Sequence, residues 1–217
     1  MTRLRLIVFD LDGTLVDSRR DLAESANTML AECGCPPHAE EAIGRMVGDG
    51  AATLVARAFA ASNCPQPADA LERFLTVYTS RLLRFTRPYP GVLDVLAQLE
   101  SRVAMAVLTN KPRAATDAIL EGLGLARFFG ACVVGGDGPF PRKPDAAGLV
   151  HLMSEAGAAP SETLLVGDSP VDLRTARAAG VPVCLARYGF GYLGFGVEKL
   201  APVDWAIDQP ADLLRVL

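Results

Sequence analysis

The stretch Leu4-Arg5-Leu6-Ile7-Val8-Phe9-Asp10-Leu11-Asp12-Gly13-Thr14 decides the fold. Residues 4–9 form a short, almost continuous apolar run that stops abruptly at acids. A strand without polar alternation is buried on both faces, the pattern of a parallel sheet covered by helices. Similar runs recur at 103–108, 132–134, 163–166 and 181–186, with a weaker one at 205–207. Helical patterns lie between them. Residues 112–123 begin with Pro112 in the first turn and stop at Gly124; 146–156 stop at Gly157; 170–179 stop at Gly180; a last helix covers 211–216. Proline at the start and glycine just past the end are ordinary helix punctuation. Strand and helix in alternation predict an α/β fold, a doubly wound parallel sheet with a Rossmann-like core.

One segment interrupts the alternation. From Asp17 to Phe85 there is no strand pattern. Residues 21–33 place Leu22, Ala26, Met29 and Leu30 at helical spacing. Helices are also expected at 39–47, 51–61 and 68–83, with glycine and proline in the turns between them. The expected organisation is a core of 1–16 and 87–217, with a small α-helical cap, 17–86, inserted after the first strand.

Length and composition agree. At roughly 150 residues per domain, the 217 residues make about 1.4 domains, one core plus a smaller insert. With 50% apolar residues the chain can bury a full core. Basic residues number 21 and acidic ones 25, with no Lys/Arg stripe, which argues against nucleic-acid and membrane-surface partners. No apolar stretch approaches the roughly 20 residues of a membrane span. The apolar run at the start is too short for a secretion signal and is broken by Asp10 and Asp12. Cys33, Cys35, Cys64, Cys132 and Cys184 are odd in number and scattered, which suggests reduced, mostly buried thiols and a cytoplasmic protein.

In a parallel sheet the strands all end on one edge, where ligands bind. After the first strand comes Asp10-Leu11-Asp12-Gly13-Thr14, after the second Thr109-Asn110-Lys111, and after the fourth Gly167-Asp168-Ser169-Pro170-Val171-Asp172. Four carboxylates gathered on one edge repel each other unless a cation joins them. Hard oxygen donors that leave room for water and a phosphate suit Mg²⁺.

Asp10-x-Asp12-Gly13-Thr14, Thr109-Asn110, Lys143-Pro144-Asp145 and Gly167-Asp168-Ser169-x-x-Asp172 resemble, in order, the four motifs of the haloacid dehalogenase-like superfamily. The helical insert is similar to that superfamily's small cap. The resemblance implies a phosphohydrolase in which Asp10 is the nucleophile, forming an aspartyl-phosphate, and Asp12 the general acid and base. It implies Mg²⁺ held by Asp10, the Asp12 backbone carbonyl and Asp168, with Asp172 a further acid of the metal site. Thr109, Asn110 and Lys143 would grip the substrate phosphate, Lys143 also serving the reaction. An acid at position 12 suits an ester leaving group, which needs a proton. Met46-Val-Gly48-Asp49-Gly50, Leu108-Thr-Asn-Lys-Pro112, Val134-Gly-Gly-Asp-Gly138 and Arg187-Tyr-Gly189 further resemble bacterial phosphoglycolate phosphatases. That likeness implies 2-phosphoglycolate as the small-molecule phosphate ester, with Arg45, Gly48, Asp49 and Gly50 of the cap selecting it. The lysine motif departs from the family pattern by reading Ala146 where a second proline is usual, and the loop 139–142 is rich in proline.

Alternative outcomes of the same chemistry are a sugar-phosphate phosphatase or a phosphosugar mutase. A non-enzymatic receiver-like phospho-acceptor would not need an insert of this length. Gly189-Phe-Gly191-Tyr-Leu-Gly194 matches the dinucleotide fingerprint in form, but no clear helix follows and the βαβ frame is missing, so a glycine loop is expected. His38 and His151 have no catalytic partners in the sequence pattern and are read as structural.

Overall fold

The computed structural model describes residues 4–192 and 200–216. Its strands are β1 (Leu6–Phe9), β2 (Val16–Asp17), β3 (Arg87–Pro88), β4 (Ala104–Leu108), β5 (Val133–Val134), β6 (Thr163–Gly167), β7 (Val183–Ala186) and β8 (Trp205–Ile207). Its α-helices are α1 (Arg19–Glu32), α2 (Glu40–Gly44), α3 (Ala51–Ala61), α4 (Ala70–Thr79), α5 (Val92–Leu99), α6 (Arg113–Gly122), α7 (Ala147–Ala156), α8 (Pro170–Ala179) and α9 (Leu213–Val216). Six strands form one sheet in the order β5-β4-β1-β6-β7-β8, and every pair in it is parallel. The doubly wound α/β core expected from the apolar runs is therefore present.

The burial pattern explains why β1 lacks alternation. Ile7 and Phe9 face one apolar layer, with Val95, Leu96, Ile119 and Phe129. Leu6 and Val8 face the other, with Leu149, Leu152, Leu173 and Ala176. All four β1 residues are at most 3% exposed, so each face of the strand removes apolar surface from water. A polar residue on either side would sit in a helix–sheet core.

Helices α1 to α4 lie between β2 and β3. Those two strands pair antiparallel, Val16 with Pro88 and Asp17 with Arg87, so the chain leaves and rejoins the core side by side. Asp21, fully buried near the start of α1, fastens the return. Its Oδ2 accepts the N–H of Phe85 (2.8 Å), the N–H of Thr86 (2.7 Å) and the Thr86 hydroxyl (2.8 Å). The buried apolar side chains of α1, α3 and α4, among them Met29, Phe59 and Phe74, are continuous with the layer under Ile7 and Phe9.

β2, β3 and α5 are additional to the elements expected from the sequence. Two-residue strands carry no periodicity, whereas α5 shows a legible one in Val92, Val95, Leu96 and Leu99, all buried. The five thiols are free, but only Cys35 and Cys184 are buried and Cys132 is exposed, so the expectation of mostly buried cysteines is corrected. No helix of the described residues is long and apolar enough to cross a membrane. The fingerprint-like loop is described only as far as Tyr192; Gly194 lies outside the described residues.

Candidate active site

Strand register brings the motifs to one level. Phe9 pairs with Val107 of β4 and Val166 of β6. Asp10, Thr109 and Asp168 therefore emerge together at the C-terminal edge beside the central strand. Asp10, Asp168 and Asp172 each offer a carboxylate oxygen within 4.8 Å of the others. Asp172 reaches the cluster because α8 begins at Pro170, which puts it in the first turn of the helix. Its carboxylate accepts the Ser169 N–H (3.0 Å) and hydroxyl (2.6 Å).

Lys143 is the cation inside this cluster. Its Nζ donates to Asp172 Oδ1 at 2.6 Å and stands 2.9 Å from Asp10 Oδ1. Burial alone would lower the lysine's pKa, but Asp10 and Asp172 more than reverse that and hold it above the usual range. One lysine does not balance three buried acids. Burial pushes Asp10 up to about 6, with Lys143 opposing the rise and Asp172 adding to it. Burial, with Asp10 and Asp172 beside it, holds Asp168 well above the carboxylate range. These hard oxygen donors fit a divalent cation, which would supply the missing positive charge. Asp10 Oδ1 also accepts the Leu11 N–H at 2.7 Å. Its Oδ2 makes no hydrogen bond among the described residues.

The backbone closes tightly around Asp168. Gly13 has φ +87°, and a Cβ there would lie 1.9 Å from Asp168 Oδ2. Gly189 is equally confined, its Cβ direction ending 2.2 Å from the Gly13 carbonyl oxygen. The Gly191 N–H donates to Asp168 Oδ2 at 2.7 Å, so the start of the glycine loop backs the acid cluster. Gly13→Ala combines left-handed backbone strain with a clash. It is expected to destabilise the protein by about 2 kcal/mol or more in urea titration. A loss within about 0.5 kcal/mol, the ordinary range of a surface change, would contradict this packing.

Asp12 stands apart from the three clustered carboxylates. Both its oxygens accept from Lys111 Nζ, at 2.9 and 2.7 Å, and Oδ1 also accepts the Ser18 hydroxyl at 2.5 Å. The metal role the resemblance implies for Asp12 belongs to its backbone carbonyl, so this orientation is compatible with it. Burial disfavours the Lys111 ammonium, yet Asp12 raises its pKa above the usual range. No local pattern reveals this role of Lys111, because the salt bridge spans 99 positions of sequence.

Asn110 ties the cleft to the turn before α3. Its Nδ2 donates to the carbonyls of Gly48 and Lys143, both at 2.9 Å, while its buried Oδ1 has no partner among the described residues. Thr109 is 3% exposed beside it. A cleft of about 210 Å³ runs over Asp10, Asp12, Thr109, Asn110 and Asp168 and under Gly48 and Gly50. Arg45 and Asp49, the other two residues expected to select the substrate, do not line it. The Asp49 carboxylate is turned to Arg57, at 2.5 Å, and Arg45 is exposed at the end of α2. Apolar side chains of the insert, including Leu22, Leu54 and Phe74, form the opposite wall.

Residues 7–186 match the family model described as haloacid dehalogenase-like hydrolase. The chain belongs to the haloacid dehalogenase-like hydrolase family. The phosphoglycolate phosphatase of Rhodospirillum rubrum is 46% identical over 195 residues, covering 86% of this chain and 80% of that protein. Phosphoglycolate phosphatase 1 of Pseudomonas aeruginosa is 40% identical over 221 residues, covering 98% of this chain and 80% of its own length. A crystal structure from Haemophilus somnus, described as a predicted phosphoglycolate phosphatase, superposes with a TM-score of 0.90 at 33% identity, covering 100% of this chain and 99% of that one. Haloacid dehalogenase-like hydrolases are enzymes, and the relatives are named as phosphatases.

Proposed function

We propose that the chain is a Mg²⁺-dependent phosphomonoesterase that hydrolyses a small phosphorylated metabolite, 2-phosphoglycolate above all, through an aspartyl-phosphate on Asp10. The observation that carries this reading is the cluster of Asp10, Asp168 and Asp172 around Lys143, with Asp12 held separately beside it by Lys111. The names of the relatives support the substrate.

Each residue has a task. Leu11 N–H and Lys143 fix Asp10 Oδ1, leaving Oδ2 to attack phosphorus. As the new P–O bond forms, the bond to the ester oxygen breaks and Asp12 gives that oxygen its proton. Asp12 then takes a proton from water, which attacks phosphorus, releases inorganic phosphate and restores Asp10. Lys143, the Thr109 hydroxyl and Asn110 hold phosphate oxygens in a site where water is scarce and such contacts are strong. Asp10, Asp168, Asp172 and the Asp12 carbonyl would hold Mg²⁺, which would supply the positive charge that lets an anionic carboxylate meet an anionic phosphate. In this reading residues 17–86 act as a cap over the cleft, excluding bulk water and limiting substrate size.

The test is phosphate release from 2-phosphoglycolate with Mg²⁺ and after EDTA, with product analysis. Mg²⁺-dependent release of free phosphate is expected, falling to background in EDTA. Failure to release phosphate from any small phosphomonoester overturns the reading, and isomerised sugar phosphate without free phosphate would replace it with a mutase.

A further inference from the structure

Tyr78 is a cleft residue for which the proposed chemistry has no use. It sits on α4, is 3% exposed and lines the cleft. Its hydroxyl is buried and makes no well-formed hydrogen bond among the described residues. A buried hydroxyl without a partner is a standing cost, and such groups are rare in folded proteins. Lys111 Nζ stands 4.7 Å from the centroid of the Tyr78 ring. Phe74 stacks against the same ring, centroids 5.7 Å apart and planes 13° from parallel. Lys111 is the basic residue among the described cleft-lining side chains, and its side chain is 4% exposed. An ammonium and a phenol thus share one end of an apolar-walled cleft, where weak solvation strengthens the attraction for an anion.

Asp12 links Lys111 to the reacting bond. It is the group that must reach the ester oxygen. Both its oxygens are now occupied by Lys111 and one also by Ser18. An Asp12 that engages the ester oxygen gives up at least one of these bonds, which leaves Lys111 short of a partner. Because Lys111 Nζ already touches both oxygens of Asp12, a substrate carboxylate one carbon from that ester oxygen would come within reach of the ammonium. A neutral alcohol portion would bring nothing to replace what Asp12 withdrew.

We propose that Lys111 and Tyr78 form a receptor for a carboxylate carried one carbon from the ester oxygen, so that the cleft selects phosphate esters of 2-hydroxy acids over esters of neutral alcohols. The proposal rests on the phosphatase reading and deepens it: two core and insert side chains recognise the second anion, and the ion pair of Lys111 passes in part from Asp12 to substrate. Tyr78 enters from the insert, so the receptor is complete only with α4 over the cleft.

The experiment compares kcat/KM for 2-phosphoglycolate and for 2-hydroxyethyl phosphate, in which a CH₂OH group replaces the carboxylate, both with Mg²⁺. The wild type should favour 2-phosphoglycolate by about 100-fold, the scale of hydrogen bonds to a charged group. Tyr78→Phe should cut that ratio by about tenfold and Lys111→Gln by more, chiefly through KM for 2-phosphoglycolate. Lys111→Gln also disturbs Asp12 and lowers turnover of both esters, so the ratio, not the rate, is read. If that variant does not fold, Tyr78→Phe decides alone, since it removes only a hydroxyl that makes no well-formed hydrogen bond among the described residues. A wild type that treats the two esters alike, or a ratio unchanged in the folded variants, overturns the receptor and leaves the phosphatase standing. A wild type inert on both esters removes the phosphatase reading and the receptor with it.

Discussion

Asp10→Asn will abolish phosphate release while leaving the fold intact. The loss in kcat should be on the order of 10⁴-fold or more, as for removal of other covalent nucleophiles. The amide is nearly isosteric, so its oxygen can still accept the Leu11 N–H, and Lys143 keeps its 2.6 Å bond to Asp172. What disappears is the anionic oxygen that attacks phosphorus. The same substitution removes one charge from a crowded set. Burial holds the Asp10 pKa up to about 6, so its ionisation at neutral pH works against the fold. The melting temperature in EDTA should therefore stay level or rise. Phosphate turnover within tenfold of wild type would remove Asp10 as the nucleophile. A collapse of the fold would show that the carboxylate is a structural anchor, contrary to its raised pKa.

The parts of this molecule that were legible in the sequence are those where one local rule suffices. An unbroken apolar run such as Leu6–Phe9 means burial on two faces, and the edge rule for parallel sheets then places Asp10, Thr109 and Asp168 together. Asp172 belongs to the same run after the fourth strand, and the helix that starts at Pro170 places it in its first turn. What stayed hidden depends on contacts that no local pattern encodes. Val16–Asp17 and Arg87–Pro88 are too short for periodicity and pair only because the insert returns beside its exit. Asp21 looks like any first-turn acid, yet it binds the backbone 64 and 65 positions away. Lys111 is indistinguishable in sequence from a solvated lysine, and only the fold buries it between Asp12 and Tyr78. The resemblance implies a substrate contact for Asp49, and what it does not reveal is that Arg57, two turns along, pairs with that carboxylate.

Lys143→Met carries the largest stability change, and its pH dependence identifies the cause. Methionine roughly conserves the volume of the lysine stem but leaves Asp10, Asp168 and Asp172 without the cation that touches two of them. Removing one partner of a buried charge set typically costs about 3–5 kcal/mol. The sign follows from the direction of the shifts. Asp10 and Asp168 already titrate above their unfolded value with Lys143 present, and Lys143 is a cause that lowers both. Without it they move higher. An acid whose folded pKa is raised favours the fold below its unfolded pKa, near 3.8, and that contribution is lost as pH rises through the folded pKa. The lysine's own raised pKa means its pairing is fully present throughout neutral pH and is lost only in strong base. In EDTA the gap between wild type and variant, read by urea titration, should be widest near pH 8 and shrink towards pH 5 as the acids take up protons. A saturating divalent cation at pH 8 should also narrow it, because it replaces the missing positive charge by binding the folded state alone. A gap independent of both pH and cation would mean that Lys143 stabilises the protein through packing of its stem, and that the acid cluster does not set the electrostatics of this cleft.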